Sequence, residues 1–275
     1  MADLLNDRAA AVATISADWH DLHEELDRWA HMNRAATLWW RDDDAATATP
    51  ALDRLLALAD GTPLALAAIP AAASPALAAA ISARTAGGGG AVTVLQHGWA
   101  HANHAPDGSR KMELGTHRPT ASVLAELAAG CARLADLCGA AFRTVLTPPW
   151  NRIADAVAAR LGDIGFRGLS TLGPRRAAEP SRGVVQVNVH ADLIDWRQGH
   201  GFVGTGPALG RIVSHLAARR TGAADPAEPT GILTHHLVQD EATDRFVARL
   251  LAATRARGGA GVRWVTVDEA FGLAP

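Results

Sequence analysis

The sequence predicts an α/β chain in which parallel strands alternate with helices and close, or nearly close, into a (β/α)7-8 barrel. Three observations predict it. Short apolar runs rich in strand formers alternate with helical stretches, as in successive βα units. Seven or eight such units fit into 275 residues, a length that single α/β barrels commonly occupy, so one domain over 1–275 is expected. Aspartates, histidines and tryptophans stand repeatedly at the C-terminal ends of the runs, where the loops of a barrel converge over one mouth. An open doubly wound sheet is the alternative, but no GxGxxG fingerprint follows the first strand.

Over about 8–31, Ile15, Trp19, Leu22, Leu26 and Trp29 recur at helical spacing among charges, which predicts an N-terminal packing helix. A first strand over 36–40 ends in Arg41-Asp42-Asp43-Asp44. Pro50 opens a helix over 51–59, residues 62–69 make the second strand, and Ser74-Pro75 starts an alanine-rich helix to Thr85. The third strand, 91–95, runs into Gln96-His97-Gly98-Trp99-Ala100-His101-Ala102-Asn103-His104. A polar segment over 105–119 follows, long enough to suggest a functional loop, and then a helix over 120–139.

The fourth strand, 142–146, is stopped by Thr147-Pro148-Pro149-Trp150, and a helix is expected over 151–161. Strands over 168–172 and 184–189 come next, the second delivering His190 and then Asp195-Trp196. A helix over 207–219 and a polar turn lead to a seventh strand, 231–234, which ends in His235-His236. A helix over 240–255 and a strand over 262–267 complete the chain.

Composition narrows the function. A formal net charge of -2 provides no basic footprint, so neither nucleic acid nor an anionic membrane surface is an expected partner, and a small-molecule or oligosaccharide substrate is. Cys131 and Cys138 fall in one expected helix, where seven residues of rise separate them by about 10 Å, too far for a disulfide. That suits a reducing compartment. The stretch from Met1 to Asp7 is acidic and lacks the pattern of a signal peptide, and the most apolar window, Leu64 to Ile81, is cut by Pro70 and Pro75. A cytoplasmic protein without membrane insertion is expected. Oligomeric state is left open.

His97 and His101, separated by three residues, can reach one divalent ion, and neutral imidazole is a common zinc ligand. With 12 histidines in the chain such a pair alone carries little weight. Its weight comes from the carboxylates and histidines at the other strand ends, because one carboxylate with two imidazoles leaves zinc an open position for water.

Together these stretches resemble a known family. Asp-Asp at the first strand, His-x-x-x-His at the third, Pro-Pro-aromatic at the fourth, Asp-Trp in a later loop and Leu-x-His near the end are similar, in that order, to the polysaccharide deacetylases (NodB homology, carbohydrate esterase family 4). The resemblance covers roughly Leu38 to His236 and, in its local wording, looks like a divergent intracellular branch. It implies a distorted barrel of the deacetylase type. It also implies a metal-dependent hydrolase that removes an acetyl group from an N-acetylated sugar or related amide. A weak or inactive metal- and carbohydrate-binding protein on the same fold is the alternative.

Carried over by motif, Asp43 would be the general base, Asp44, His97 and His101 the ligands of a divalent metal (zinc foremost, cobalt or nickel as substitutes), and His235 the general acid. A backbone N–H near Trp150 would hold the oxyanion. Asp42 stands where the family has an apolar residue, which leaves the register of base and ligand open by one position. Thr147 stands where the family has an arginine that orients the base, and Arg41 or Arg152 is a replacement. A carboxylate beside His235 is needed to keep it protonated, from among Asp192, Asp195 and Asp240. Trp99, Trp150 and Trp196, with Pro149, are expected as pocket walls on which a sugar ring stacks. His104 and Asn103 are expected to support the loop.

Overall fold

The structure, a computed structural model, describes residues 15–86 and 91–273. In chain order it contains α1 (Trp19–His31), β1 (Ala36–Ala45), α2 (Pro50–Leu58), β2 (Leu64–Ala68), α3 (Pro75–Ala86), β3 (Val92–His97), α4 (Thr120–Cys138), β4 (Phe142–Thr147), α5 (Asp155–Ala158), β5 (Gly168–Leu169), β6 (Val185–Gln186), β7 (Ala191–Asp192), α6 (Thr205–Thr221), β8 (Thr230–Thr234), α7 (Glu241–Arg255), α8 (Gly258–Gly261), β9 (Val262–Trp264) and α9 (Val267–Phe271). The strands run in the order β6-β5-β4-β3-β2-β1-β8-β7, every pairing is parallel, and β9 joins the first residues of β1.

This sheet is a distorted barrel, and one bent segment nearly closes it. Residues 185–186 pair with β5, while residues 191–192 of the same segment pair with β8 on the opposite edge. Between them Val187 and Val189 donate to Leu169 and Thr171, and Leu172 bridges to Val189. The strand expected over 184–189 is therefore two short ones. The bend has a steric reason at Gly231, where a Cβ would lie 2.6 Å from the Asn188 carbonyl oxygen and 2.5 Å from Trp39 Nε1.

Strand alternation sorts the side chains into two cores. Trp39, Ala65, Leu95, Val145 and Leu233 point into the barrel with Val187 and Val189, and α9 plugs that space with Val267 and Phe271. Leu38, Trp40, Leu66 and Ile232 point outward against Leu22, Leu26 and Trp29 of α1, Leu209 and Leu216 of α6, and Leu250 and Leu251 of α7. The last strand is thus shorter than its expected span of 262–267. A capping box between Thr266 and Glu269 turns the chain into α9, and Phe271 packs edge-on against Trp39 with ring centroids 5.8 Å apart.

Two helices differ from expectation. The N-terminal helix starts at Trp19, because Asp18 accepts from the His20 and Asp21 amides in a capping box, and Ile15 lies before it and is exposed; residues 8–14 lie outside the described residues. The helix expected over 151–161 is reduced to α5. Ile153 instead bridges to Leu114, and the Ala154 amide donates to the Leu114 carbonyl. Pairing with the 105–119 loop overrides the local helical preference, and it anchors that loop beside the barrel mouth. Among the described residues no helix is long and apolar enough to cross a membrane.

Candidate metal centre

The C-terminal end of β1 carries four polar residues that the backbone sends in three directions. Arg41 and Asp43 share a face, as alternate strand residues do, and Asp42 takes the other. Between Asp42 and Ala45 the pairing with β2 slips by one residue, and Asp44 sits at φ 73°. This bulge re-aims Asp44 toward β3.

There Asp44 Oδ1 lies 3.2 Å from His97 Nε2 and 3.4 Å from His101 Nε2, buried and without a hydrogen-bond partner. Those separations match the roughly 3.3 Å between donor atoms that tetrahedral zinc with bonds of about 2.0–2.1 Å requires. His97 Nδ1 lies 2.9 Å from the Thr147 carbonyl oxygen, which obliges Nδ1 to carry the hydrogen and leaves the Nε2 lone pair for an ion. Burial lowers the pKa of His101, whereas Asp43 and Asp44 more than offset burial at His97 and raise it. A proton on His97 and a metal ion would compete for the same electron pair. Asp44, His97 and His101 thus form a three-donor site that fits a divalent ion with one position open.

The loop bearing His101 is shaped from inside. Glu113 is buried and accepts from the backbone amides of Trp99, Ala100 and Ala102. Gly98, at φ 59°, has no room for a Cβ, which would lie 2.0 Å from Glu113 Oε2 and 2.6 Å from the buried Pro149. Asn103 Oδ1 accepts from the amides of Ala105 and Met112, and the His104 amide donates to the Met112 carbonyl, so both residues hold the loop. Trp150, at φ 56°, presents its ring edge-on to His101 at 4.4 Å. Trp99, two residues before His101, is half-buried.

Asp43 is gripped by Arg41, Nε to Oδ1 at 2.8 Å and Nη2 to Oδ2 at 2.9 Å. Burial alone would raise the Asp43 pKa, but the Arg41 guanidinium outweighs it and holds the carboxyl below its ordinary range. Arg41 is in turn fixed by Ser170, through Oγ at 2.8 Å, and by Asn151 Oδ1 at 2.7 Å. Of the two arginines left open by the sequence, Arg41 reaches the carboxylate. Arg152 points away and donates to the Lys111 carbonyl at 2.8 Å.

Asp42 is drawn off below the centre. Its Oδ1 lies 2.5 Å from His236 Nδ1, and its Oδ2 accepts from the His236 amide and from Thr234 Oγ1, which also accepts from Trp40 Nε1. The Asp42 carboxylate therefore meets neither the histidine pair nor Arg41. His235 sits opposite Asp43, Nε2 to Oδ2 at 4.0 Å, with Nδ1 4.0 Å from Asp192 Oδ1. Asp192 accepts from Trp196 Nε1 at 2.8 Å, and the Trp196 ring stands edge-on to His235 at 4.7 Å. Burial pushes the Asp192 pKa up. Asp195 instead caps the turn at Arg197 and Gln198, and Asp240 caps α7.

Sequence reasoning missed Glu113, Asn151 and Ser170. Asn151 carried a signal, because it directly follows the Pro-Pro-aromatic motif and asparagine tolerates the left-handed backbone it adopts there, at φ 56°. A second histidine group, His190 and His215 with Glu228, lies at the start of β8, at the other end of that strand from His235. It does not fit an ion. His190 Nδ1 accepts from the Gly231 amide, which puts the hydrogen on Nε2, and the two rings stack 3.3 Å apart at 15°, so their nitrogen lone-pair planes do not converge.

The molecule is thus a parallel α/β barrel that presents two histidines, a bulged aspartate and a clamped second aspartate at its mouth. Known structures of the same shape place it further. It is similar to a family 4 carbohydrate esterase from Streptomyces lividans solved in complex with acetate (14% identity over 85% of this chain and 94% of that one, TM-score 0.54). It is similar as well to a protein from Mycobacterium smegmatis assigned as a polysaccharide deacetylase (16%, 84% and 87%, TM-score 0.57). A Streptococcus mutans esterase of the same carbohydrate esterase family matches at 13% identity over 88% of this chain and 90% of that one, with a TM-score of 0.53. No protein-family profile matches the chain, and no curated protein does. The chain has the polysaccharide deacetylase fold.

Proposed function

We propose that the protein is a metal-dependent hydrolase that removes an acetyl group from an N-acetylated sugar or related amide. The observation that carries this is the separation of two adjacent aspartates. Asp44 faces two ligand-ready imidazoles, and Asp43 faces an arginine clamp. A pure binding site needs the first of these and has no use for the second.

Asp44, His97 and His101 would hold the ion, with zinc the best match to one carboxylate and two imidazoles. The ion would supply Lewis-acid polarisation of the acyl carbonyl and a lowered water pKa. Asp43, kept ionised and fixed by Arg41, takes the proton of the attacking water. A backbone N–H near Trp150 donates to the oxyanion. His235, beside Asp43 and Asp192, gives a proton to the departing amine. Asp42, paired with His236, and Thr147, whose carbonyl orients His97, are positioning residues. Pro149 packs the loop, and Trp150 and Trp196 flank the bound sugar. A reducing, cytoplasmic setting is supported by the two free cysteines, Cys131 and Cys138.

The test is acetate release by zinc-loaded protein from a panel of N-acetylated and O-acetylated sugars. The reading expects metal-dependent release from an N-acetylated member. Stoichiometric metal with no acetate from any member would overturn it in favour of a metal- and carbohydrate-binding protein.

A further inference from the structure

The His235 ring is poorly anchored by its own atoms. Its Nδ1 is buried and has no hydrogen-bond partner among the described residues. The two carboxylates that face the ring, those of Asp43 and Asp192, each lie 4.0 Å away. Trp196 meets the ring edge-on with centroids 4.7 Å apart, but Trp196 is itself exposed. An imidazole held in this way keeps its place only as well as the backbone that carries it.

That backbone is held on both sides by one carboxylate. Thr234, the last residue of β8, is the cross-strand partner of Asp42. Thr234 Oγ1 donates to Asp42 Oδ2 at 2.6 Å, and the His236 amide donates to the same oxygen at 3.0 Å. His236 Nδ1 lies 2.5 Å from the other oxygen, Oδ1. Asp42 thus bonds the residue before His235 once and the residue after it twice, and all of these groups are buried. Hydrogen bonds to a carboxylate are about twice as strong as neutral ones. The His235 carbonyl then accepts from the Val238 and Gln239 amides, which closes the turn that leaves β8.

One strand end therefore serves three purposes through three consecutive aspartates. Asp44 faces the histidine pair, Asp43 faces Arg41, and Asp42 secures the segment that carries the acid. We propose that Asp42 is a positioning residue for His235, holding the imidazole opposite Asp43 so that it protonates the leaving group as that group departs. This inference rests on the deacetylase reading, in which His235 is the general acid. In that step the acyl C–N bond breaks, its electron pair goes to nitrogen, and the nitrogen takes the Nε2 proton of His235. An amine or a sugar hydroxyl needs that proton, whereas 4-nitrophenolate departs without it. Loss of the Asp42 bonds therefore slows acetylated sugars more than 4-nitrophenyl acetate.

The test compares zinc-loaded wild type, Asp42→Val and Asp42→Asn on an N-acetylated sugar, an O-acetylated sugar and 4-nitrophenyl acetate. Valine removes every bond that Asp42 makes. Asparagine can keep them, its oxygen accepting from Thr234 and the His236 amide and its nitrogen donating to the other tautomer of the His236 ring. The ratio of kcat/KM for the sugars over 4-nitrophenyl acetate is expected to fall about tenfold to a hundredfold in Asp42→Val, the cost of a misplaced catalytic group. In Asp42→Asn it is expected to change less than about threefold, since the geometry is retained. Equal loss on all substrates in Asp42→Val, or no loss on any, would overturn the proposal. If Asp42→Val does not fold, Thr234→Val removes one of the bonds at nearly constant shape, and the same ratio is expected to fall about fivefold.

A signal independent of turnover separates this proposal from the deacetylase reading. The ring current of Trp196 acts on the His235 ring protons, so their NMR resonances report where the imidazole sits in metal-free protein. They are expected to move or broaden in Asp42→Val and to stay in place in Asp42→Asn, while the resonances of His190 and His215 at the far end of β8 show that the fold is kept. Unmoved His235 resonances in Asp42→Val would overturn the role of Asp42 whatever the substrate. Resonances that move, with no acetate from any sugar in the wild type, keep the hold of Asp42 on His235 and remove the deacetylase reading.

Discussion

Arg41 and Asp43, two positions apart on one strand, are joined by two hydrogen bonds, at 2.8 and 2.9 Å, and both side chains are almost completely buried. The strand's own periodicity makes the pair, since alternate residues share a face. Ser170 and Asn151 then fill the remaining donors of the guanidinium. The orienting cation thus comes from the same strand as the residue it orients, and Thr147 is released to hold His97.

Arg41→Lys should lower kcat about tenfold to a hundredfold with metal content unchanged. An ammonium cannot make the bidentate grip, and a hydrogen bond to a charged group contributes about 1.5–3 kcal/mol. Steady-state kinetics with metal analysis checks this. A variant that keeps wild-type kcat would remove Arg41 from the account.

Gly98→Ala should destabilise the fold and weaken metal binding together. The residue is at φ 59°, and the added Cβ meets Glu113 and Pro149. Backbone strain of this kind costs about 1–3 kcal/mol, and relief by movement would shift His97 or His101. Urea denaturation and zinc titration measure the two effects, and a change confined to stability would show that the loop tolerates the shift.

His190 and His215 should stay neutral far below the usual range of histidine. Burial lowers both pKa values, that of His215 to about 2, with Arg219 and Arg175 adding to the effect at His190 and the stacked His190 at His215. Both would bind protons in the unfolded chain below about pH 6.5, so each subtracts stability as pH falls through that value, by up to about 1.4 kcal/mol per pH unit. Imidazole NMR shifts followed from pH 7 to 5 check it. A normal titration of either ring would contradict the packing at the start of β8.

Much of the site was legible because strand ends and motif residues coincide. Asp43, Asp44, His97 and His235 meet at one mouth because each lies at the end of a parallel strand or directly after it, with His101 in the loop that leaves β3, and that placement follows from alternating βα units. The bulge that separates Asp44 from Asp42 was not legible, since nothing in three consecutive aspartates says where pairing slips. Nor was the bend at 185–192, where two strands form within one apolar run because Gly231 lets the backbones approach. The lost helix at 151–161 has the same origin. A long-range bridge between Ile153 and Leu114 decided its conformation, and local propensity carries no trace of such a partner.

The division of labour between neighbouring aspartates is tested most directly by measuring bound zinc and acetate release in Asp43→Asn and Asp44→Asn side by side. The account predicts that Asp43→Asn keeps stoichiometric zinc and loses turnover at least about a hundredfold, the contribution of a general base, while Asp44→Asn loses the zinc itself. Loss of zinc in Asp43→Asn with retention in Asp44→Asn would contradict it.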